Sequence, residues 1–359
     1  MGLVRKLSKP FILLFVLAWD FGLFLLNIVL PARKPGHVVP ASAGGHALNW
    51  PAYEPPKTTD SRSACKQPPF HGTLTRRSAN GMVVAGPMLN ALANHNILPH
   101  NGRGISFRAL NTAVRQTFNF APSFCFFVPH FAADFLDRSY WSDTFDLEEL
   151  NKHNAIEHDA SLTRRDAALV PDQGKPDVEL VEQLLTGATG GSEEARLLTK
   201  KDLSAMLSRR RVESQRENEK YSESMFHNGF GSANSSTMLT IFGGRIDDLR
   251  PMLLEERFSE DWEPRIRSRF GLTMAAFNGT VLPVENGVNK TAYIKQVESQ
   301  SVAQTGVPKL FSVVEYVDIS KDNGEAGKQN QVHSEPESGK EAASTGTGKG
   351  MMLGHILVS

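Results

Sequence analysis

Cysteine is almost missing from this chain: Cys65 and Cys125 are the only two in 359 residues. That excludes a disulfide scaffold and a cysteine zinc site, and leaves either one disulfide or two free thiols. Net charge is missing as well. Thirty-nine basic and thirty-nine acidic residues cancel, so no whole-chain field attracts nucleic acid or an acidic partner. Alternating apolar–polar runs of the kind that make strands are scarce, and no internal repeat is evident. What remains is helical patterning over a length that can enclose a cofactor.

One long apolar run is present. Arg5, Lys6 and Lys9 precede a stretch from Pro10 to Ala32 that is almost wholly apolar, its pattern broken by Asp20. At about 1.5 Å per residue such a helix spans a hydrocarbon core of roughly 30 Å. It also exceeds the roughly 7–15 apolar residues of a cleavable signal peptide. Residues 1–34 therefore read as a single-pass signal anchor with a lumenal or extracellular body; the alternatives are a cleaved signal, giving a secreted protein, and an apolar core helix. Asp20 is costly at mid-membrane, and Arg33 and Lys34 blur the charge asymmetry that sets orientation.

Residues 35–70, rich in Pro, Gly, Ser and Ala, read as a flexible spacer. From 71 to 285 the texture is globular, with helices expected near 87–98, 106–120, 124–138, 147–152, 157–169, 177–187, 199–217, 221–242 and 249–258. An irregular extension over 286–320 and a disordered tail over 321–359, dominated by Gly, Ser, Glu, Lys, Gln and Asn, complete the organisation. Asn234, Asn278 and Asn289 each open an Asn-x-Ser/Thr triplet, which agrees with a glycosylated lumenal body.

Residues 86–103 read GPMLNALANHNILPHNGR. Pro87 suits a first helical position, and Leu89, Leu92, Ala93 and Ile97 form one apolar stripe. The run Leu89–His95, followed by Leu98-Pro99 and Gly102-Arg103, resembles the proximal helix of fungal haem-thiolate peroxidases, the chloroperoxidase and unspecific peroxygenase family. In that family the helix opens with Pro-Cys-Pro, and the thiolate binds haem iron where a helix amino terminus stabilises negative sulfur. Gly86 stands at the position of that cysteine, and Pro87 and Asn90 are the neighbouring cofactor-binding positions by resemblance. Arg77-Ser78 also fits the family's opening, but Ala79–Gly86 fill the place of two expected residues. Either the ligand is lost, or a misplaced splice junction has replaced it with translated intron.

About 70 residues further on, Ile156–Arg165 reads IEHDASLTRR. On a helix, Glu157 and Ser161 share a face, and both offer hard oxygen suited to Mg²⁺. The resemblance assigns Glu157, the His158 carbonyl and Ser161 to a Mg²⁺ or similar cation beside a propionate of haem b. It makes His158 and Asp159 the candidates for adjusting a distal acid–base group, since imidazole titrates near neutrality. The family's distal glutamate, counted back from Phe242-Gly243, falls near Asn234 or Ser235, and neither is an acid. Glu223 and His227 lie on the same segment, without supporting spacing.

Other candidates weigh less. Cys125 sits among phenylalanines and reads as core or pocket wall. His95 reads as a backbone partner, and Leu254–Arg257 with Trp262–Pro264 as a helix end and a packing tryptophan. The resemblance thus implies a mostly α fold, a single helical peroxidase-type domain. It would use hydrogen peroxide on an apolar organic substrate, in a setting such as fungal secondary metabolism. The rival is a membrane-anchored scaffold or small-molecule binder that has lost the thiolate; a third form keeps haem with another axial ligand.

Overall fold

A computed structural model describes residues 2–36, 50–55, 86–151, 158–171, 173, 176–221, 225–260 and 262–305. Cys65, Glu157, Glu223, the segment before Gly86 and the tail after 305 lie outside them. The chain divides into one unit holding Met1–Lys290 with Met351–Ser359, and a second, Thr291–Gly350.

The first unit is helical, as the periodicity predicts. Its helices are α1 (Gly2–Val29), α2 (Pro87–Asn94), α3 (Phe107–Phe118), α4 (Pro122–Phe135), α5 (Val178–Thr186), α6 (Lys200–Glu217), α7 (Met225–Thr240), α8 (Ile246–Glu255) and α9 (Met274–Asn286). A 3₁₀ turn covers Leu147–Asn151. Two-residue ribbons pair β1 (Ile105–Ser106) with β2 (Thr144–Phe145), and β3 (Gly190–Gly191) with β4 (Arg196–Leu197).

The helix starts follow local chemistry. Ser106 Oγ accepts from Ala109 N at the head of α3. Thr199 and Asp202 form a reciprocal capping box on α6, which satisfies two backbone donors at once. Asn119 ends α3 in the left-handed region, and its amide then donates to Ile266 O at 2.8 Å. Gly271, at φ +82°, lets the chain pass against Phe120; a Cβ there would come within 2.5 Å of its backbone, so the position requires glycine.

The core runs from α3 and α4 through the aromatic group around Trp262. Trp262 stacks on Phe258 with ring centroids 4.7 Å apart and meets Phe242 at 5.3 Å. Helix α7 packs against α6 and α9; its small residues Gly231, Ser232, Ala233 and Ser235 allow that close approach. Arg211 of α6, buried, ties α9 through Glu285 at 2.6 Å and 2.9 Å.

Four expectations change. The helix expected over 157–169 does not form: residues 158–169 are bends and a turn, and Ala160 at φ 58° cannot belong to a right-handed helix. Part of the expected spacer is packed, because Trp50 Nε1 donates to Trp262 O at 3.0 Å and Pro51 O meets His95. Helix α9 (Met274–Asn286) closes the expected globular stretch where no helix was expected, with Pro283 inside it. In the second unit, α10 (Lys290–Thr305) occupies residues expected to be irregular.

The N-terminal run is the helix its composition predicts. Phe11–Val29 is long and apolar enough to cross a membrane, at mean hydropathy 2.3. It is not detached from the body: α1 packs on α4 and α9.

Candidate functional site

A cleft opens between the head of α2, the 158–164 loop, α7 and α8. Pro87, Met88, His158, Ser161–Arg164, Gly231, Asn234, Ser235 and Met238 line one end. Leu207, Phe242, Leu249, Met252 and Leu253 make the rest apolar. Its enclosed volume is about 60 Å³, below the roughly 300–1,000 Å³ of ligand pockets, so a larger guest needs the walls to part.

Gly86 is the buried N-cap of α2, at φ −49° and ψ 159°, with no side chain to cap the helix. Its carbonyl accepts from Leu89 N and Asn90 N. Pro87 and Met88 reach the cleft wall, whereas Asn90 does not. The Asn90 amide instead donates to Glu256 Oε1 at 2.7 Å, and Asn94 donates to Glu256 O at 2.9 Å. This buried carboxylate pins α2 to the end of α8. His95 is likewise engaged by backbone: Nδ1 lies 2.7 Å from Pro51 O, and Phe258 N donates to Nε2 at 3.2 Å.

The opposite wall is a hydrogen-bonded chain. His158 Nδ1 is 2.7 Å from Asp159 O, and Asn234 Nδ2 lies 2.9 Å from His158 Nε2. With Nδ1 donating, Nε2 is the acceptor for the Asn234 amide, so the contacts select the neutral ring. Asn218 Nδ2 then donates to Asp159 Oδ2 at 2.9 Å and to Asp166 Oδ2 at 3.0 Å. Asp166, fully buried, accepts from Ala160 N, Ser214 Oγ and Arg210. The Ala160 N–H bond explains the left-handed backbone at Ala160, which turns His158 toward α7. Helix α7 permits the contact through Gly231, where a Cβ would stand 3.4 Å from His158 Cε1.

Asn234 therefore stands on α7 facing the histidine, the place to which spacing assigned a distal acid. Its amide donor is committed to His158, so it is not presented as a glycan acceptor. Its Oδ1 is buried with no partner among the described residues. Ser235 turns back to its own helix, donating to Gly231 O at 2.8 Å. Ser161 Oγ lies 3.4 Å from Thr163 Oγ1. Among the described residues no group of three or more His, Cys, Asp or Glu could hold a metal ion.

These side chains offer a haem apolar walls and one orphaned polar acceptor. They do not offer a thiolate. Cys125 is fully buried on α4, outside the cleft wall, with its thiol pushed up by burial, which makes it inert. The cleft's sulfurs are the thioethers of Met88, Met238 and Met252. Sequence reasoning missed Asp166, Asn218, Arg210 and Ser214; only the buried geometry shows that they hold the loop.

The helical body, with its cleft at the head of a proline-led helix, agrees with a peroxidase-type domain. The family model for peroxidase, family 2, matches residues 84–267, just over half the chain. The chain belongs to peroxidase family 2. No curated protein matches it.

Proposed function

We propose that the cleft is a haem and substrate pocket serving a peroxidase-type reaction, hydrogen peroxide being the oxidant and an apolar organic molecule the reductant. The observation that carries this is His158. It is buried in the cleft, oriented from both ring nitrogens, and adjoins the unpartnered Asn234 Oδ1. Haem, when bound, supplies the redox chemistry of peroxide cleavage. Leu249, Met252, Leu253 and Phe242 give the apolar surface on which a flat macrocycle or an organic substrate can rest. Asn234 Oδ1 can accept a hydrogen bond from peroxide, and His158 Nε2 can take a proton once the Asn234 amide turns away from it. Asp159 and Asn218 hold the ring in place. Glu157, the His158 carbonyl and Ser161 remain the proposed cation ligands, and secondary metabolism the proposed setting.

Gly86 and Asn234 favour a second reading, a small-molecule binder without catalysis. One lacks a ligand atom and the other is an amide where an acid transfers protons. The splice-junction explanation could account for the first but not for the second.

The visible spectrum of the purified chain separates the readings. A Soret band that shifts on reduction and CO binding, together with peroxide-dependent oxidation lost in His158→Ala, supports the peroxidase. Colourless protein that stays colourless with added haem defeats it and leaves the binder.

A further inference from the structure

Helix α1 has two unlike faces. Val16, Asp20, Leu23 and Asn27 recur at helical spacing on the side laid against α4 and α9. Asp20, only 2% exposed, accepts from Ser123 Oγ at 2.6 Å and from Met274 N and Ala275 N at 3.0 Å, so it caps the first turn of α9. Asn27 accepts from Phe270 N at 2.8 Å and donates to Gly271 O at 2.9 Å. On the other side Phe11, Leu14, Phe15, Phe21, Leu25 and Ile28 are 48–73% exposed, a patch too large to leave against water. Were α1 to cross a bilayer, Ser123 and the head of α9 would be drawn into hydrocarbon with it. Docked, its polar groups are satisfied within the protein and only its apolar side wants a partner.

Just past the end of α1 lies a cavity of about 430 Å³, whose walls include Arg33, Arg115 and Arg269 with Asn111, Gln116 and Phe270. Arg33 Nε is buried without a hydrogen-bond partner. No carboxylate pairs with any of these three guanidiniums among the described residues. Burial, and then the charge of Arg269, lower the Arg33 pKa, as expected of a cationic pocket short of an anion. Phe270, itself part-exposed, lines the cavity while its N–H is held by Asn27 on the docked side, which sets the cavity beside the end of α1.

We propose that the outer face of α1 and this pocket form one seat for an anionic phospholipid at a membrane surface. Acyl chains lie along α1, and the phosphoryl headgroup sits among Arg33, Arg115 and Arg269, whose forked donors suit phosphate oxygens. The helix accordingly rests in the membrane plane rather than across it. Free phosphate shares the headgroup's chemistry; the exposed apolar face of the neighbouring helix selects the lipid.

The test adds purified full-length chain to preformed vesicles of phosphatidylcholine, alone or mixed with phosphatidylglycerol, and measures co-flotation at low salt. The chain should bind both and prefer the anionic vesicles by roughly fivefold per engaged arginine, on the order of a hundredfold for three. R33Q/R115Q/R269Q should lose that preference yet still bind neutral vesicles, while Arg108→Gln, exposed outside the pocket, should keep it. If the triple variant fails to fold, Arg115→Gln alone should cost about fivefold. Inorganic phosphate at matched ionic strength should leave flotation unchanged. Equal affinity for the two vesicle types, or an undiminished preference in the variants, overturns the proposal. So does selective displacement by phosphate, which would mark a free-anion site. Protection of an N-terminal tag from external protease would show a crossing helix and overturn it too.

Discussion

The two walls of the cleft are built on opposite plans. At the α2 and α8 wall the contacts with the cavity are apolar: Pro87, Met88, Leu249, Met252 and Leu253, ending at a bare Gly86. At the loop and α7 wall the polar groups are linked one to the next, from Asn234 through His158, Asp159, Asn218 and Asp166 to Arg210, with Asn234 Oδ1 left unpaired. The difference shows where the fold fixes geometry and where it only encloses space. A connected buried polar chain allows few arrangements, because each unpaired member is expensive. An apolar wall tolerates substitution if volume is kept.

Asp166→Ala tests the polar wall most severely. It leaves buried Arg210 with Glu213 as its remaining carboxylate partner, orphans Ser214 Oγ, and frees the Ala160 N–H that holds the loop. Unfolding free energy in urea should fall by roughly 3–5 kcal/mol, as for other buried pairs broken on one side. A loss below about 1 kcal/mol would erase the contrast between the walls.

Leu249→Ala is the matching change on the apolar wall. Leu249 is fully buried, and a leucine-to-alanine change in a core costs about 2–5 kcal/mol depending on how far the site collapses. The adjoining cleft already holds open space, so the cost should lie near the bottom of that range. A loss equal to that of Asp166→Ala would mean that the apolar wall is as tightly specified as the polar one.

The same contrast governs what the sequence reveals. Helices α3 and α6 are legible because Ser106 and Thr199 sit just ahead of helical patterning, and local signals agree with the final packing. The loop at 158–169 is not legible. Its turn at Ala160 is held by Asp166 and, through Asn218, from the far end of α6, and residue spacing announces neither contact. The position of Asn234 can be counted from Phe242, but its bond to His158 depends on the unread turn. Asp20 is legible only as a misfit in an apolar run; its partners lie more than 100 residues away. Family resemblance supplied the overall fold, and Gly86 and Asn234 are visible as departures only against it.

Proximal anchoring gives a smaller, pH-dependent effect. His95 holds Pro51 and Phe258 around α2 from its two nitrogens. Burial lowers its pKa, the Pro51 hydrogen bond works against that, and the charge of Arg257 adds to the lowering. The unfolded chain therefore binds the proton more readily than the folded one. Its stabilising contribution is complete above about pH 6.5 and is lost as pH falls below that toward the folded value. Thermal midpoints between pH 8 and pH 5 should fall more steeply in the wild type than in His95→Gln; identical slopes would remove His95 from the account.

Gly86→Cys should change stability least and yet say most about the bare end of the cleft. At φ −49° and ψ 159° the backbone is in the polyproline region open to any residue, so glycine is not required there. Replacing a glycine whose conformation suits a side chain is worth only about 0.4–1 kcal/mol through the unfolded chain, leaving the thermal midpoint near that of the wild type. The new sulfur would stand at the amino terminus of α2, where free N–H groups and the helix dipole favour thiolate. With haem added, the variant should give a thiolate-type ferrous–CO spectrum that the wild type lacks. A folded variant with an unchanged spectrum would show that the α2 terminus does not face the iron, and the two walls could not then belong to one haem site.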